Sequence, residues 1–174
     1  MPVILNVTGP HQIAWAAVGT VPTNKYLGRA DNDDLFNIEL EYQYTDVMTN
    51  ELGNNPSNAI LMGARAFAAF TLVTFDPTAV TELFQHFDGQ TGTGSNTFYF
   101  PKVGSVVYDS AAEANSLLVA LKVIPDGAGG PAYLLPRCRL ITSNVKDVGN
   151  KATRAGFKFE ILPGAAGNPI YVRS

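Results

Sequence analysis

The chain has 174 residues, of which 46% are hydrophobic and only 16% are charged, and its net charge is −3. Charged residues make up about a quarter of an ordinary soluble domain, so this low share indicates a surface that neighbouring molecules cover; a monomer rich in small polar residues is the alternative. The weak negative charge argues against a surface that wraps nucleic acid, and the longest apolar stretch, Ala59–Phe75, carries Arg65 and a strand pattern, which argues against membrane insertion.

The first third of the chain predicts an arm, a short strand and a loop. Residues 1–11 have the pattern of an N-terminal arm that ends in turn formers. Gln12–Val18 predicts a strand that carries the only tryptophan, and a loop over residues 19–28 follows. Residues 29–34 form a polar, acidic segment that lacks the spaced ligands of a calcium loop, so we interpret it as a solvated turn.

Residues 37–44 carry the clearest strand pattern. Apolar residues alternate there with a polar set: Asn37, Glu39, Glu41 and Gln43. A period of two over eight residues predicts a strand with one buried face and one solvated face. Glu39 and Glu41 are about 6–7 Å apart along such a strand, which suits a pair of glycosidase carboxylates on distance alone. No cluster of sugar-stacking aromatic residues accompanies them, so we interpret the pair as structural.

A long loop is predicted over residues 45–58. It contains strong turn formers together with residues that a plain solvent loop does not need: Val47, Met48, Leu52 and Pro56. Loops of this length are usually functional or disordered. A long strand over Ala59–Phe75 follows, with Gly63 as a bulge or a bend.

Asp76 and Pro77 predict a helix start, because Asp76 can cap the free amides and Pro77 loses no hydrogen bond at the first helical position. An apolar stripe at helical spacing continues to Phe87, and so short a helix must pack on the sheet. After a Gly/Thr loop over 89–96, we predict strands over 97–100, 103–108, 117–124, 133–141 and 151–162.

A C-terminal arm over residues 163–174 completes the chain. It is rich in Gly and Pro but contains an apolar run that indicates docking onto another surface: Ile170, Tyr171 and Val172. The whole pattern predicts a single β-rich domain over 1–174, mainly β with sandwich- or barrel-forming sheets and one short flanking α-helix.

Residues that carry chemistry are few. The chain has two histidines, which are His11 and His86, and one cysteine, Cys138. We interpret His86 as a surface residue and Cys138 as a small buried thiol, although catalytic partners can be distant in sequence and a Cys–His dyad is open. Arg137 and Arg139 either pair with acidic residues across a subunit boundary or meet solvent. We expect no catalytic residue, no metal and no cofactor, and a protein that is not an enzyme.

The order of these features resembles that of the tail tube proteins of tailed bacteriophages. The likeness is carried by Thr45–Gly63 followed by the helix at Thr78–Phe87, and by the closing segment Ala155–Gly164. The resemblance implies a β-sandwich with one helix, six copies that close a ring, and rings that stack into a hollow tube. It also implies a virion tail protein that is assembled in the host cytoplasm and forms a conduit for DNA ejection.

The resemblance also implies roles for particular residues. Sheets of neighbouring copies would join in a continuous inner barrel, which removes exposed strand edges. Inter-ring contacts would come from Val47, Met48, Leu52 and Pro56, and a C-terminal latch from Ile170, Tyr171 and Val172. From the wet strand face we hypothesise a negative lumen wall that DNA passes without specific binding: Asn37, Glu39, Glu41 and Gln43.

The expected partners are copies of the chain itself and other tail proteins. Another phage structural part (a tail terminator, a neck adaptor or a capsid decoration protein) is open, because such parts share small β-rich folds. A carbohydrate- or ligand-binding β-sandwich that acts alone is also open. Rings or filaments under the electron microscope would separate a tube protein from a lone binding module.

Overall fold

The computed structural model describes residues 3–7, 9–30, 36–48, 56–87, 117–126, 131–146, 154–163 and 169–173. The described residues form ten strands and one helix: β1 Val3–Val7, β2 His11–Ala17, β3 Tyr26–Ala30, β4 Phe36–Met48, β5 Pro56–Leu72, β6 Thr74–Phe75, α1 Pro77–Phe87, β7 Val119–Pro125, β8 Tyr133–Lys146, β9 Arg154–Ile161 and β10 Val172–Arg173. The mainly β fold class with one short helix is confirmed.

All ten strands belong to one antiparallel sheet. Its order is β1-β4-β5-β9-β8-β7-β2-β3-β6, and β10 pairs with the start of β8. β6 follows β5 after one residue, yet it lies at the far end of this order beside β3. The sheet must therefore curl until the end that carries β3 and β6 comes close to β5. Along the sheet, β9 is the strand that joins β5 to β8.

The inner face of the curled sheet is the core. A stack of three rings lies at its centre: Phe70 of β5, and Phe157 and Phe159 of β9. Their ring centroids are 5.5 to 6.2 Å apart, and none of the three is more than 4% exposed. Burying a large apolar side chain contributes about 1.5–3 kcal/mol, so this stack is a main stabilising contact between the paired strands β5 and β9.

The helix α1 begins where the sequence predicts. The Asp76 carboxylate accepts a hydrogen bond from the Thr78 amide at 2.9 Å, which caps the first turn. Val80 and Leu83 are buried in the core. Further along the same helix, the Phe84 ring lies 6.3 Å from the Phe157 ring, so the predicted apolar stripe packs on the sheet.

Several predicted boundaries differ from the structure. The predicted arm over 1–11 contains β1, which pairs with β4, and β2 begins at His11. The predicted loop over 45–58 is shorter, because β4 runs on to Met48 and β5 begins at Pro56. Apolar residues near both ends of that segment extend the strands, whereas the turn formers occupy the middle of it.

Other predictions fall partly outside the described residues. The Gly/Thr loop over 89–96 and the strands predicted over 97–100 and 103–108 lie there, as does Leu52. The long strand predicted over Ala59–Phe75 is interrupted at Val73, where β5 ends and β6 begins. Within the described residues, no helix has the length and apolarity needed to cross a membrane.

Candidate assembly surface

β4 and β5 extend beyond the rest of the sheet as a two-stranded ribbon over residues 41–48 and 56–65. β1 pairs with β4 only as far as Glu39, and β9 pairs with β5 only from Ala66 onward. Among the described strands, the two strands of the ribbon therefore pair only with each other. Eight residues at 3.4 Å each give the ribbon a length of about 27 Å.

A β-bulge shapes this ribbon. Gln43 pairs with Gly63, but the next pair is Tyr44 with Leu61, so Met62 is an extra residue on β5. A bulge bends its strand and increases the local twist. The prediction of a bulge or bend at Gly63 is thus confirmed, with the extra residue one position away.

The ribbon carries apolar side chains on both faces. The described residues expose ten large hydrophobic side chains, and six of them lie here: Tyr42, Tyr44, Val47, Ile60, Leu61 and Met62. Paired residues share a face, so Tyr44 and Leu61 are on the face that continues the core, whereas Thr45 and Ile60 are on the opposite face. Scattered single apolar residues are ordinary on a surface, but a contiguous apolar group marks an interaction site.

Three of the four residues predicted for inter-ring contact lie on this ribbon. Val47 is 37% exposed, and Met48 pairs with Pro56 at the far end of the ribbon. Sequence reasoning missed the larger part of the surface, because it placed Tyr42 and Tyr44 on a buried face. The signal that could have found it is the unbroken apolar run from Ile60, which does not alternate as a half-buried strand does.

The structure places the predicted polar set on one face of β4: Asn37, Glu39, Glu41 and Gln43. Strand register continues this face across three more strands. Glu39 pairs with Phe67 of β5, Phe67 pairs with Glu160 of β9, and Glu160 pairs with Arg139 of β8. The polar face therefore spans four strands rather than one.

The charge on this polar face is mixed. Arg139 donates from Nε to the Glu160 carboxylate at 2.7 Å, and its Nη2 contacts the same oxygen. Arg65 lies opposite Glu41 in the register, and the Lys158 ammonium lies 4.8 Å from the centre of a phenylalanine ring on the same face. The described face is therefore not uniformly negative, unlike the wall that the sequence predicts. Arg139 pairs with an acidic residue of its own chain rather than with one across a subunit boundary.

No protein-family model matches the chain, and no curated protein matches it. Among solved structures, the crystal structure of an Hcp protein matches with a TM-score of 0.38 and 9% sequence identity, over 96% of this chain and 99% of that chain. At these values the likeness establishes neither a common fold nor a common function.

The C-terminal run docks on its own chain in this structure. Val172 pairs with Leu134 of β8, and the Tyr171 ring meets the Tyr133 ring edge-on at 5.7 Å. Ile170 packs against the core beside them. The predicted docking surface is thus β8 of the same chain, while a latch onto a neighbouring copy stays a prediction.

The two histidines lie in separate packing environments. His11 is fully buried, with Nδ1 2.9 Å from the Gly9 carbonyl oxygen. The His86 ring lies 5.7 Å from the Trp15 ring, and its Nε2 lies 3.1 Å from the Leu118 carbonyl oxygen. The interpretation of His86 as a surface residue was wrong, because the end of α1 turns this ring onto β2.

Burial shifts the pKa of His86 and the pKa of Cys138 in opposite directions. Burial lowers the pKa of His86; the hydrogen bond to Leu118 opposes that shift, and the charge of Lys25 adds to it. Cys138 is fully buried, which raises the pKa of its thiol, and the prediction of a buried thiol is confirmed. Among the described residues, no group of three or more His, Cys, Asp or Glu side chains could hold a metal ion.

Proposed function

We propose that this chain is a structural subunit that assembles with copies of itself into rings, and that the rings stack into a tube. The observation that supports this most directly is the β4–β5 ribbon, which leaves the core and carries apolar side chains on both faces. A two-stranded ribbon is marginally stable in water by itself. It is expected to gain its stability from a surface that another molecule supplies.

A second copy is the partner that the edge of the ribbon favours. Natural proteins protect exposed strand edges with charged side chains, Lys above all, and with Pro, β-bulges or short strands. The outer strand of the ribbon, residues 41–48, contains no Lys, Arg or Pro, and its only charges are Glu41 and Asp46. The two carboxylates are thus the charged protection that this strand carries, and it lacks Lys and Pro, as expected for an edge that pairs with a copy of the chain.

The phage tail tube is the member of this class that the order of segments favours. We infer a virion protein, assembled in the host cytoplasm, whose partners are its own copies, other tail proteins and passing DNA. If the polar face lines the lumen, its mixed charge gives phosphates neither a strong attraction nor a strong repulsion. The role is mechanical, and we propose no catalytic step for it.

The test is a charge placed on the ribbon. Leu61 is 52% exposed, so covering its remaining surface contributes about 1 kcal/mol per contact. Leu61→Asp removes that term and adds the desolvation of a carboxylate, which costs several kcal/mol when it is buried. Together these changes weaken association by at least about a hundredfold.

Light scattering after size exclusion and negative-stain microscopy measure the outcome. We expect rings or filaments for the native chain and monomers with an unchanged circular dichroism spectrum for Leu61→Asp. Val21→Asp is the matched control, because Val21 is 51% exposed but lies outside the ribbon. A native chain that stays monomeric up to its solubility limit would overturn the proposal.

A further inference from the structure

A cleft lies on the solvent-facing side of β2, β3 and β6. Gln12 pairs with Arg29, and Arg29 pairs with Thr74, so these three residues form one row across the three strands. The cleft has a volume of about 360 Å³, which lies within the range of about 300–1,000 Å³ that is usual for small-molecule sites. None of its lining residues belongs to the ribbon, and the side chains with polar or aromatic groups are Gln12, Asn24, Tyr26, Arg29, Thr74 and Asp76.

A β-bulge turns Tyr26 toward this cleft. Ile13 pairs with Gly28, but the next residue of β2, Ala14, pairs with Tyr26, so Leu27 is an extra residue on β3. In a regular strand, Tyr26 and the arginine three positions later would point to opposite faces. The bulge places both on the face of Gln12, while Leu27 is fully buried and Tyr26 stays 43% exposed. Bulges that redirect a side chain in this way are common beside functional sites.

Gly28 lets the second wall of the cleft come close. A Cβ atom at this position would lie 2.1 Å from the Thr74 carbonyl oxygen, so only glycine allows β6 to approach β3 at this distance. The Asp76 amide then donates to the Leu27 carbonyl oxygen at 2.9 Å, which fixes Asp76 beside β3. Its Oδ1 atom accepts from the Thr78 amide. The second carboxylate oxygen is an acceptor that a ligand hydroxyl can use.

The charges around the cleft disfavour an anionic ligand. The Arg29 Nη2 atom lies 2.6 Å from the Asp126 carboxylate, and the Lys25 ammonium lies 2.7 Å from the Glu82 carboxylate. Each of these cations is therefore neutralised by a partner, and Asp76 adds a further negative charge. A phosphate gains little attraction in such a field. The lining is also too polar for an apolar small molecule, whose sites are lined mainly by hydrophobic side chains.

We infer that this cleft binds an uncharged saccharide unit, with the Tyr26 ring against one face of the sugar. Sugar hydroxyls both donate and accept hydrogen bonds. The amides of Gln12 and Asn24 supply both roles, Arg29 donates, and Asp76 accepts. The C–H groups on the face of a sugar ring carry partial positive charge, which suits the electron-rich face of a tyrosine ring. The inference is independent of the self-assembly proposed above.

Saturation-transfer NMR with uncharged tetrasaccharides tests the ligand class. The measurement observes the protons of the sugar, so it works on a monomer and on an assembled tube alike. Maltotetraose, cellotetraose and chitotetraose are each added at millimolar concentration, and a sulfated heparin tetrasaccharide is the charged comparison. We expect transfer to at least one of the three uncharged sugars and weaker transfer to the sulfated one. Transfer to none of the three, or a preference for the sulfated sugar, would overturn the inference and leave self-assembly intact.

Substitutions of Tyr26 test the location. Tyr26→Ala should weaken the binding of the responding tetrasaccharide about tenfold or more, whereas Tyr26→Phe keeps the ring face and should bind within about threefold of the native chain. Ile141→Ala is the matched control, because Ile141 is 44% exposed and lies on β8, outside the cleft. Equal affinities of Tyr26→Ala and Ile141→Ala would place the sugar elsewhere and overturn the inference.

The amides of the cleft give a further test, which separates a shaped site from adsorption onto an exposed ring. Asn24→Ala and Gln12→Ala each remove one side-chain amide and leave Tyr26 in place. Each should weaken binding about fivefold, the size of one hydrogen bond. If neither substitution weakens binding, the sugar contacts Tyr26 alone, and the cleft as a saccharide site is refuted.

Discussion

Replacing Gly28 by alanine should break the seam between β3 and β6. A Cβ atom at this position would lie 2.1 Å from the Thr74 carbonyl oxygen and 2.7 Å from the Phe75 Cα. Both are backbone atoms, so no rotamer change relieves the clash, and the strands must separate by about 1 Å to reach ordinary contact distances. Two hydrogen bonds hold this seam, from Val73 N to Arg29 O at 3.0 Å and from Asp76 N to Leu27 O at 2.9 Å.

The magnitude follows from these two bonds. A hydrogen bond contributes about 1 kcal/mol, and a buried group left without a partner costs about 1–3 kcal/mol. We therefore expect the free energy of unfolding to fall by about 2–4 kcal/mol, which for a chain of this size lowers the melting temperature on the order of 10 °C. Urea unfolding, at protein concentrations where the chain is monomeric, measures the difference directly.

Gly63→Ala is the control for this substitution. A Cβ at Gly63 would meet only the Gln43 Oε1 atom, at 3.8 Å, which is an ordinary contact. We expect this variant to match the native chain or to gain a few tenths of a kcal/mol from its less flexible unfolded state. If Gly28→Ala and Gly63→Ala unfold at the same urea concentration, the close approach at Gly28 does not hold β6 in place.

Two further predictions concern charged and titrating groups. The pKa of His86 is lowered in the fold, so the free energy of unfolding should decline as the pH falls below about 6.5 and through the folded pKa. His86→Phe should abolish that decline, which urea midpoints measure. A decline of the native size in this variant would refute the assignment of the pH dependence to His86. Arg139→Met leaves the Glu160 carboxylate, 8% exposed, without its cation. The substitution should lower the free energy of unfolding by about 2 kcal/mol, the size of a hydrogen bond to a charged group, and Arg139→Met/Glu160→Gln should recover most of this loss. A double variant as unstable as the sum of the single ones would contradict this.

Local patterns predicted the fold class because alternation and capping act over short distances. The period of two at 37–44 identified β4, and Asp76 with Pro77 identified the start of α1. The ends of β4 and β5 were missed for a related reason. Turn formers near the middle of 45–58 indicated one loop, whereas strand pairing between Val47 and Asn58 is a contact that only the folded hairpin shows.

Side-chain environments set by distant segments could not be predicted. The face of α1 that carries His86 meets Trp15, which precedes it by about seventy residues, and no local pattern encodes that contact. The Arg139–Glu160 pair likewise depends on the register of β8 against β9. The candidate assembly surface was found only in part, because the exposure of Tyr44 depends on how far the packed core extends along β4 beyond Leu40.

The position of β9 has a consequence for how the protein matures. β9 bridges β5 and β8 and carries Phe157 and Phe159, yet it is synthesised after both of its neighbours. A nascent chain that has released β5 and β8 from the ribosome still lacks the two rings on which Phe70 stacks. Pairings between such distant segments form slowly, so we expect the apolar β4–β5 hairpin to stay exposed, and prone to aggregation, until β9 has been synthesised.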